Sequence, residues 1–269
     1  MFYSLSNGLL MPKIGLGTFL ISNDDAKTIV LEAIKIGYHH IDTAQRYENE
    51  KGIGEAIKNA SKPRSGLFIT SKQKYHMPFE EAKQAFFQTL ENLQTDYLDL
   101  FLIHWPSHDK TINQETWRFF EWLYEHKYVK AIGVSNFTRS HLEDLFETAT
   151  IKPHVNQIEC HPGLTQAPLR AFMAEHDIQT ISYGPFMRGQ IFEPPYHDVL
   201  YQIGRKHTST IAQVAIAWGI QQGIFMIPKS SDLKRLEENH RAASISLSDE
   251  EIQDHQSIKS RETRLYRSR

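Results

Sequence analysis

A single cysteine, Cys160, is all the thiol chemistry in this chain of 269 residues, so no internal disulfide can form and a disulfide-stapled scaffold is excluded. An excess of one sign of charge is lacking as well. Thirty basic residues face 32 acidic ones, a formal net charge of −2, and no whole-chain field draws the protein onto nucleic acid or an anionic membrane. Long hydrophobic runs are missing: stretches such as Val214 to Ile220 fall far short of the roughly 20 apolar residues that cross a bilayer. The opening MFYSLSNGLLMPKIG breaks its apolar residues with Asn7-Gly8, Pro12 and Lys13 before a signal-peptide core could form, so the cytoplasm is the expected compartment. Walker A, H-E-x-x-H and C-x-x-C motifs are absent. The 14 histidines are scattered singly apart from His39-His40, so no ligand spacing emerges and no metal is expected.

What is present is an ordinary globular mixture, 40% apolar and 23% charged, arranged in a repeating order. Short runs rich in β-branched and aromatic residues alternate with segments of helical period, the signal for βαβ units. The runs are Ile14 to Thr18, His39 to Thr43, Leu67 to Lys72, Leu98 to His104, Ala131 to Ser135, His154 to Ile158, Thr180 to Tyr183 and Ile224 to Ile227. Most are too apolar to leave one face wet, as suits parallel strands covered on both sides. Between them, Glu80 to Leu93 is the clearest helix, with Ala82, Phe86, Leu90 and Leu93 on one face; Asp24, Ser140 and Ser231 stand where helix caps are expected. Further helices are expected over Thr210 to Gln222 and Ser248 to Ile258, and the Asn7-Gly8 turn predicts a β-hairpin ahead of the first long strand. With no linker and no shift in composition, residues 1–269 read as one domain. Eight strand-helix rounds fit a closed (β/α)8 barrel with an N-terminal hairpin and two extra helices better than an open doubly wound sheet of about six strands. The Rossmann fingerprint agrees: Gly15-Leu-Gly17 is followed by Thr18, Phe19 and Leu20 with no third glycine, leaving close backbone packing or cofactor approach as the role of those glycines.

In such a barrel the C-terminal strand ends face the active site. Three consecutive strands close on polar groups: the second reaches Asp42 and leads to Tyr47, the third ends at Lys72, and the fourth ends at His104 before Trp105. This set suits proton delivery to a carbonyl oxygen. A tyrosine of pKa near 10 is a slow acid at neutral pH, but an ammonium beside it favours the phenolate and lowers that pKa. Lys72 could supply the ammonium, Asp42 hold it, and His104 fix the carbonyl. Each residue alone has a plainer reading, as a structural ion pair or a satisfied polar side chain.

At this point the chain resembles the aldo-keto reductase family. Gly37 to Ile57, with GYHHIDTAQRYENEKGIGEAI, is similar to its first signature; Thr95 to Pro106 is similar to the segment with its catalytic histidine; and Ile227 to Asn239, IPKSSDLKRLEEN, is similar to its cofactor signature. With Gly133 to Phe137 and Asn156 to Glu159 between them, the resemblance runs from about Gly15 to Ile252, and small bacterial members acting on 2,5-diketo-gluconate or methylglyoxal are the most similar subgroup. It implies NADPH-dependent reduction of aldehydes or ketones, a small-molecule partner and a monomer. Asp42, Tyr47, Lys72 and His104 match the catalytic tetrad, and Phe19 and Trp105 join Tyr47 and His104 around the substrate. Gly17, Thr18, Ser135, Asn136, Gln157 and Tyr183 fall in the cofactor site, with Ser135, Asn136 and Gln157 on the carboxamide and Tyr183 stacked on the nicotinamide ring. Glu238 and Asn239 match the adenine contacts.

Residue chemistry speaks to cofactor choice directly. Lys229, Ser230 and Arg235 follow the eighth strand, where barrels commonly bind phosphate, and two cations there suit a 2′-phosphate rather than a ribose hydroxyl. The plainer alternative is a solvated helix face in which Lys234, Arg235 and Glu238 pair.

Several positions depart from the family pattern. Gln73-Lys74-Tyr75-His76 follows Lys72 where apolar or aromatic residues are frequent, Phe19 stands for a common tryptophan, and Gly184-Pro-Phe-Met-Arg188 replaces Ser-Pro-Leu-Gly. The segment after Ile258 is short, which suggests an open site. That tail, Lys259 to Arg269, holds five basic residues and one acidic, and either attracts anionic carbonyl substrates or is a solvated terminus. Cys160-His161 reads as structural packing. Two other functions stay in view: a phosphosugar isomerase or aldolase using Lys72, and a cofactor-loaded sensing module without turnover.

Overall fold

Alternation along each strand decides which side chains meet at the barrel axis. The computed structural model describes residues 2–256 and Leu265. Eight parallel strands form one sheet: β3 (Leu16–Gly17), β4 (His40–Asp42), β5 (Phe68–Gln73), β6 (Leu100–Ile103), β7 (Ile132–Ser135), β8 (Val155–Glu159), β9 (Gln179–Tyr183) and β10 (Phe225–Met226), each paired with its neighbour in sequence order. Backbone bonds from Gly15 to the Met226 carbonyl and from Gly17 to that of Pro228 join the two ends, at 2.9 and 3.2 Å, and close the barrel. At its foot lies the antiparallel hairpin of β1 (Phe2–Ser4) and β2 (Leu10–Pro12), which turns through Gly8 at a φ of 82°. Tyr3 of the hairpin meets Phe225 edge-on at 5.5 Å and plugs the base.

Helices α1 (Asn23–Ile36), α2 (Glu50–Asn59), α3 (Phe79–Asn92), α4 (Lys110–Glu125), α5 (Arg139–Phe146) and α6 (Ala167–Glu175) follow β3 to β8 in turn. After β9 come α7 (Tyr196–Lys206) and α8 (Ile211–Gln221), and after β10 come α9 (Leu233–Arg241) and α10 (Asp249–Gln256). Taking α8 and α9 as the partners of β9 and β10 leaves α7 and α10 as the two additions to the (β/α)8 plan. No helix among the described residues is long and apolar enough to cross a membrane. The expected caps are corrected by one or two positions. Ser22, Thr138 and Asp232 accept the first-turn N–H groups, because in each helix they stand in extended backbone just ahead of the first turn, while Asp24 and Ser140 already lie inside it and Ser231 falls one residue short. The basic tail lies outside the described residues except Leu265, whose N–H donates to Glu159 at 2.9 Å.

Two cores result. One packs the outward strand residues, such as Ile41, Ile69, Phe101 and Ile132, against the helices; the other fills the lower barrel with Leu5, Met11, Phe68, Leu100, Ala131, Val155, Ile181 and Phe225. Counting up by twos from this inner set reaches His40 and Thr70, bonded at 3.0 Å, and then Asp42, Lys72, His104, Ser135 and Gln157. The interior thus changes from apolar to polar along the axis, and the polar residues gather at the C-terminal strand ends.

The first strand must be thin to permit this. A Cβ on Gly15 would lie 2.3 Å from the His40 ring, and one on Gly17 would lie 2.7 Å from the Ile227 carbonyl in the closing seam. Gly17→Ala is therefore expected to lower the unfolding free energy by about 1–3 kcal/mol, measured by urea denaturation. Gly66→Ala, whose nearest neighbour would be at 3.7 Å, is the control and should change little.

Candidate active site

The centre of the mouth is an ammonium with all three N–H groups engaged. Lys72 on β5 donates to Asp42 Oδ1 at 2.5 Å, to the Thr43 carbonyl at 2.7 Å and to Tyr47 Oη at 3.4 Å. The pairing of Asp42 with Thr70 across β4 and β5 sets this up, since Lys72 lies two residues beyond Thr70 on the same face. Asp42 also accepts from the Gln157 amide at 2.7 Å, so both carboxylate oxygens are bonded. Tyr47 ends a short 3-10 turn, Gln45–Tyr47, that Gln45 pins to α3 through a bond to Thr89 at 3.0 Å. His104 follows β6 and faces the Tyr47 ring edge-on at 5.6 Å, while Phe19 covers the other side of that ring at 5.2 Å.

Burial works against each charge here. It pushes the Asp42 carboxyl up, against the pull of the Lys72 ammonium and the Gln157 amide. It also disfavours the Lys72 ammonium, but Asp42 and Tyr47 outweigh it and hold lysine above its ordinary value. Tyr47 differs from expectation. Its phenol is raised rather than lowered, because burial exceeds the opposing effect of Lys72. The hydroxyl therefore keeps its proton at neutral pH. His104 is depressed to about 3, first by burial and then by Lys72 and Arg46, so its ring is neutral.

The residues matched to the nicotinamide side form one network. Ser135 donates to the Gln157 carbonyl at 2.8 Å; Asn136 donates to the His104 carbonyl and to Ser135 Oγ, both at 3.1 Å; and Tyr183 donates to Asn136 Oδ1 at 2.6 Å. Gly17 and Thr18 lie in the seam, the buried Thr18 hydroxyl donating to the Asp42 carbonyl at 2.9 Å. Trp105 borders His104 in a cavity of about 210 Å³ with Arg46, Gln73 and Lys74, and His76 bonds its carbonyl at 2.9 Å. On the other side of the mouth, Lys229, Ser230, Arg235, Glu238 and Asn239 line a second cavity, of about 520 Å³, with Phe186 and Phe192. Glu238 accepts from Thr210 and Asp232 caps α9, and among the described residues no carboxylate pairs with Lys229 or Arg235. The plainer alternative, a helix face on which Lys234, Arg235 and Glu238 pair, is not seen: among the described residues no ion pair joins these three.

Sequence reasoning missed Arg46, the Thr43 carbonyl and the two phenylalanines. Only the departure at Gly184 to Arg188 pointed towards Phe186. Cys160 is buried, its thiol pushed up to about 12, chiefly by that burial, which leaves it inert packing as expected.

Residues 13–260 match the model of the aldo/keto reductase family. The chain belongs to that family. It is 46% identical over 250 residues to a glyoxal reductase of Bacillus subtilis, with 92% of this chain and 89% of the relative covered. To the methylglyoxal reductase DkgA of Escherichia coli it is 37% identical, covering 92% and 90%. A solved structure of a Gox0644 variant in complex with NADPH superposes with a TM-score of 0.93 at 34% identity, covering 99% of this chain and 96% of that one. As a member of the aldo/keto reductase family, the protein is an oxidoreductase acting on carbonyls.

The depressed histidine yields a direct test. Burial makes protonation of His104 unfavourable, so its ring nitrogens should keep the chemical shifts of neutral imidazole from about pH 8 down to about pH 5. Titration with a midpoint near the unperturbed value of about 6.5 would show that the ring is hydrated instead.

Proposed function

We propose that this aldo/keto reductase reduces small aldehydes and ketones, 2-oxoaldehydes among them, with NADPH, and that Tyr47 is the proton donor. The observation that carries the reading is the bonding of Lys72 to Asp42 and Tyr47 beside a neutral His104. When bound, NADPH supplies the hydride that the carbonyl carbon takes up. As negative charge grows on the carbonyl oxygen, Tyr47 delivers its proton there and the neutral His104 ring hydrogen-bonds the same atom. Lys72 stabilises the phenolate left behind, and Asp42 keeps the ammonium in place.

The residues present fit the cofactor. Lys229 and Arg235, two cations without a carboxylate partner among the described residues, suit a 2′-phosphate, with Ser230 beside them and Glu238 and Asn239 towards the adenine. Ser135, Asn136 and Gln157 would hold the carboxamide, and Tyr183 would lie against the nicotinamide ring. The aldolase alternative is disfavoured by the lysine itself. A Schiff-base amine must lose its proton, and Lys72 is held charged with all its donors engaged.

The relatives named as glyoxal and methylglyoxal reductases make methylglyoxal the first substrate to try. NADPH absorbance should fall with methylglyoxal and fall more slowly with NADH, and Tyr47→Phe should lose on the order of 10²–10⁴-fold in kcat. NADPH binding without turnover in the parent would instead favour a sensing module.

A further inference from the structure

The cavity beside His104 carries one cation that nothing else in the site explains. Arg46 stands between Gln45 and Tyr47, so its backbone is held by the same turn that positions the phenol. Its side chain is exposed and borders the cavity of about 210 Å³ together with Gln73, Lys74, Tyr75, His104 and Trp105. Neighbouring charges are already balanced. Lys74 pairs with Glu48 at 3.2 Å, and Lys72 pairs with Asp42 beneath them. Among the described residues no carboxylate or hydrogen-bond acceptor engages the Arg46 guanidinium. Its charge is nevertheless felt at the reacting groups, since it lowers the proton affinity of both Tyr47 and His104.

We propose that Arg46 is a specificity-determining residue which binds a carboxylate on the substrate, so that the preferred carbonyls are aldehydes or ketones bearing one carboxylate a few bonds from the reacting carbon. The planar guanidinium matches a carboxylate with two parallel hydrogen bonds. One unbalanced cation suits a monoanion, whereas a phosphate dianion would call for two. The inference rests on carbonyl reduction at Tyr47, and it assigns to the chain's own turn the anion recognition that the basic tail offers by composition alone.

The test compares kcat/KM for 4-carboxybenzaldehyde and benzaldehyde with NADPH in the parent, Arg46→Gln and Arg46→Lys. The ratio of carboxylated to neutral aldehyde should fall about tenfold in Arg46→Gln, mainly through KM, with part of it retained in Arg46→Lys. An unchanged ratio overturns the proposal. Calorimetric titration of benzoate into NADP-loaded parent and Arg46→Gln reads the subsite without turnover, and binding should weaken by a similar factor. If the parent reduces neither these aldehydes nor methylglyoxal but benzoate binding depends on Arg46, the reductase reading fails and the anion subsite stands. Equal benzoate binding in parent and variant removes the subsite whatever the turnover.

Discussion

Lys72 places a positive charge where water cannot reach it, and the upper half of the barrel is organised around that fact. Bringing an ammonium out of water costs several kcal/mol unless an opposite charge and further acceptors meet it. Asp42, the Thr43 carbonyl and Tyr47 Oη meet all three of its N–H groups. Asp42 in turn is held by Gln157 from the far wall. None of this survives a slip in strand register, because a shift of one residue would turn Lys72 outwards into the helix layer. A buried pair of this kind is weak evidence for stability.

The surroundings of the pair divide the labour of the site. Burial keeps the Tyr47 phenol protonated, the state that the proposed acid requires, and on that proposal Lys72 stabilises the phenolate once the proton has left. The same burial and the same ammonium keep His104 neutral, so that it can donate to an oxygen without bringing a charge. Burial raises the phenol and lowers the imidazole, while the Lys72 ammonium lowers both, and both side chains are neutral at neutral pH. The proposed cofactor phosphate site lies apart, where Lys229 and Arg235 line the second cavity.

Much of this was legible along the chain. Strand ends bearing Asp42, Lys72 and His104 stood out because polar residues close otherwise apolar runs, and the Asn7-Gly8 turn announced the hairpin. Gly15 and Gly17 read as sites of close approach, and the His40 ring and the Ile227 carbonyl supply the reason. What escaped depended on distance rather than pattern. The helix caps moved by one or two positions because competing Ser, Thr and Asp residues cluster at those turns. The direction of the Tyr47 shift reversed because sequence names the ammonium but does not give the depth of burial. Arg46 carried no signal, since an arginine beside a tyrosine acquires meaning only when a cavity opens next to both.

Whether Tyr47 acts as a protonated acid backed by Lys72, as proposed, is decided by the pH dependence of both reaction directions. Reduction of methylglyoxal should hold level through neutral pH and decline only in the alkaline range, as the phenol ionises. Oxidation of the corresponding alcohol, which needs the phenolate, should rise over that same range with the same midpoint. A decline in reduction centred near pH 6.5, about the value of an unperturbed histidine, or an oxidation rate indifferent to alkaline pH, would contradict it.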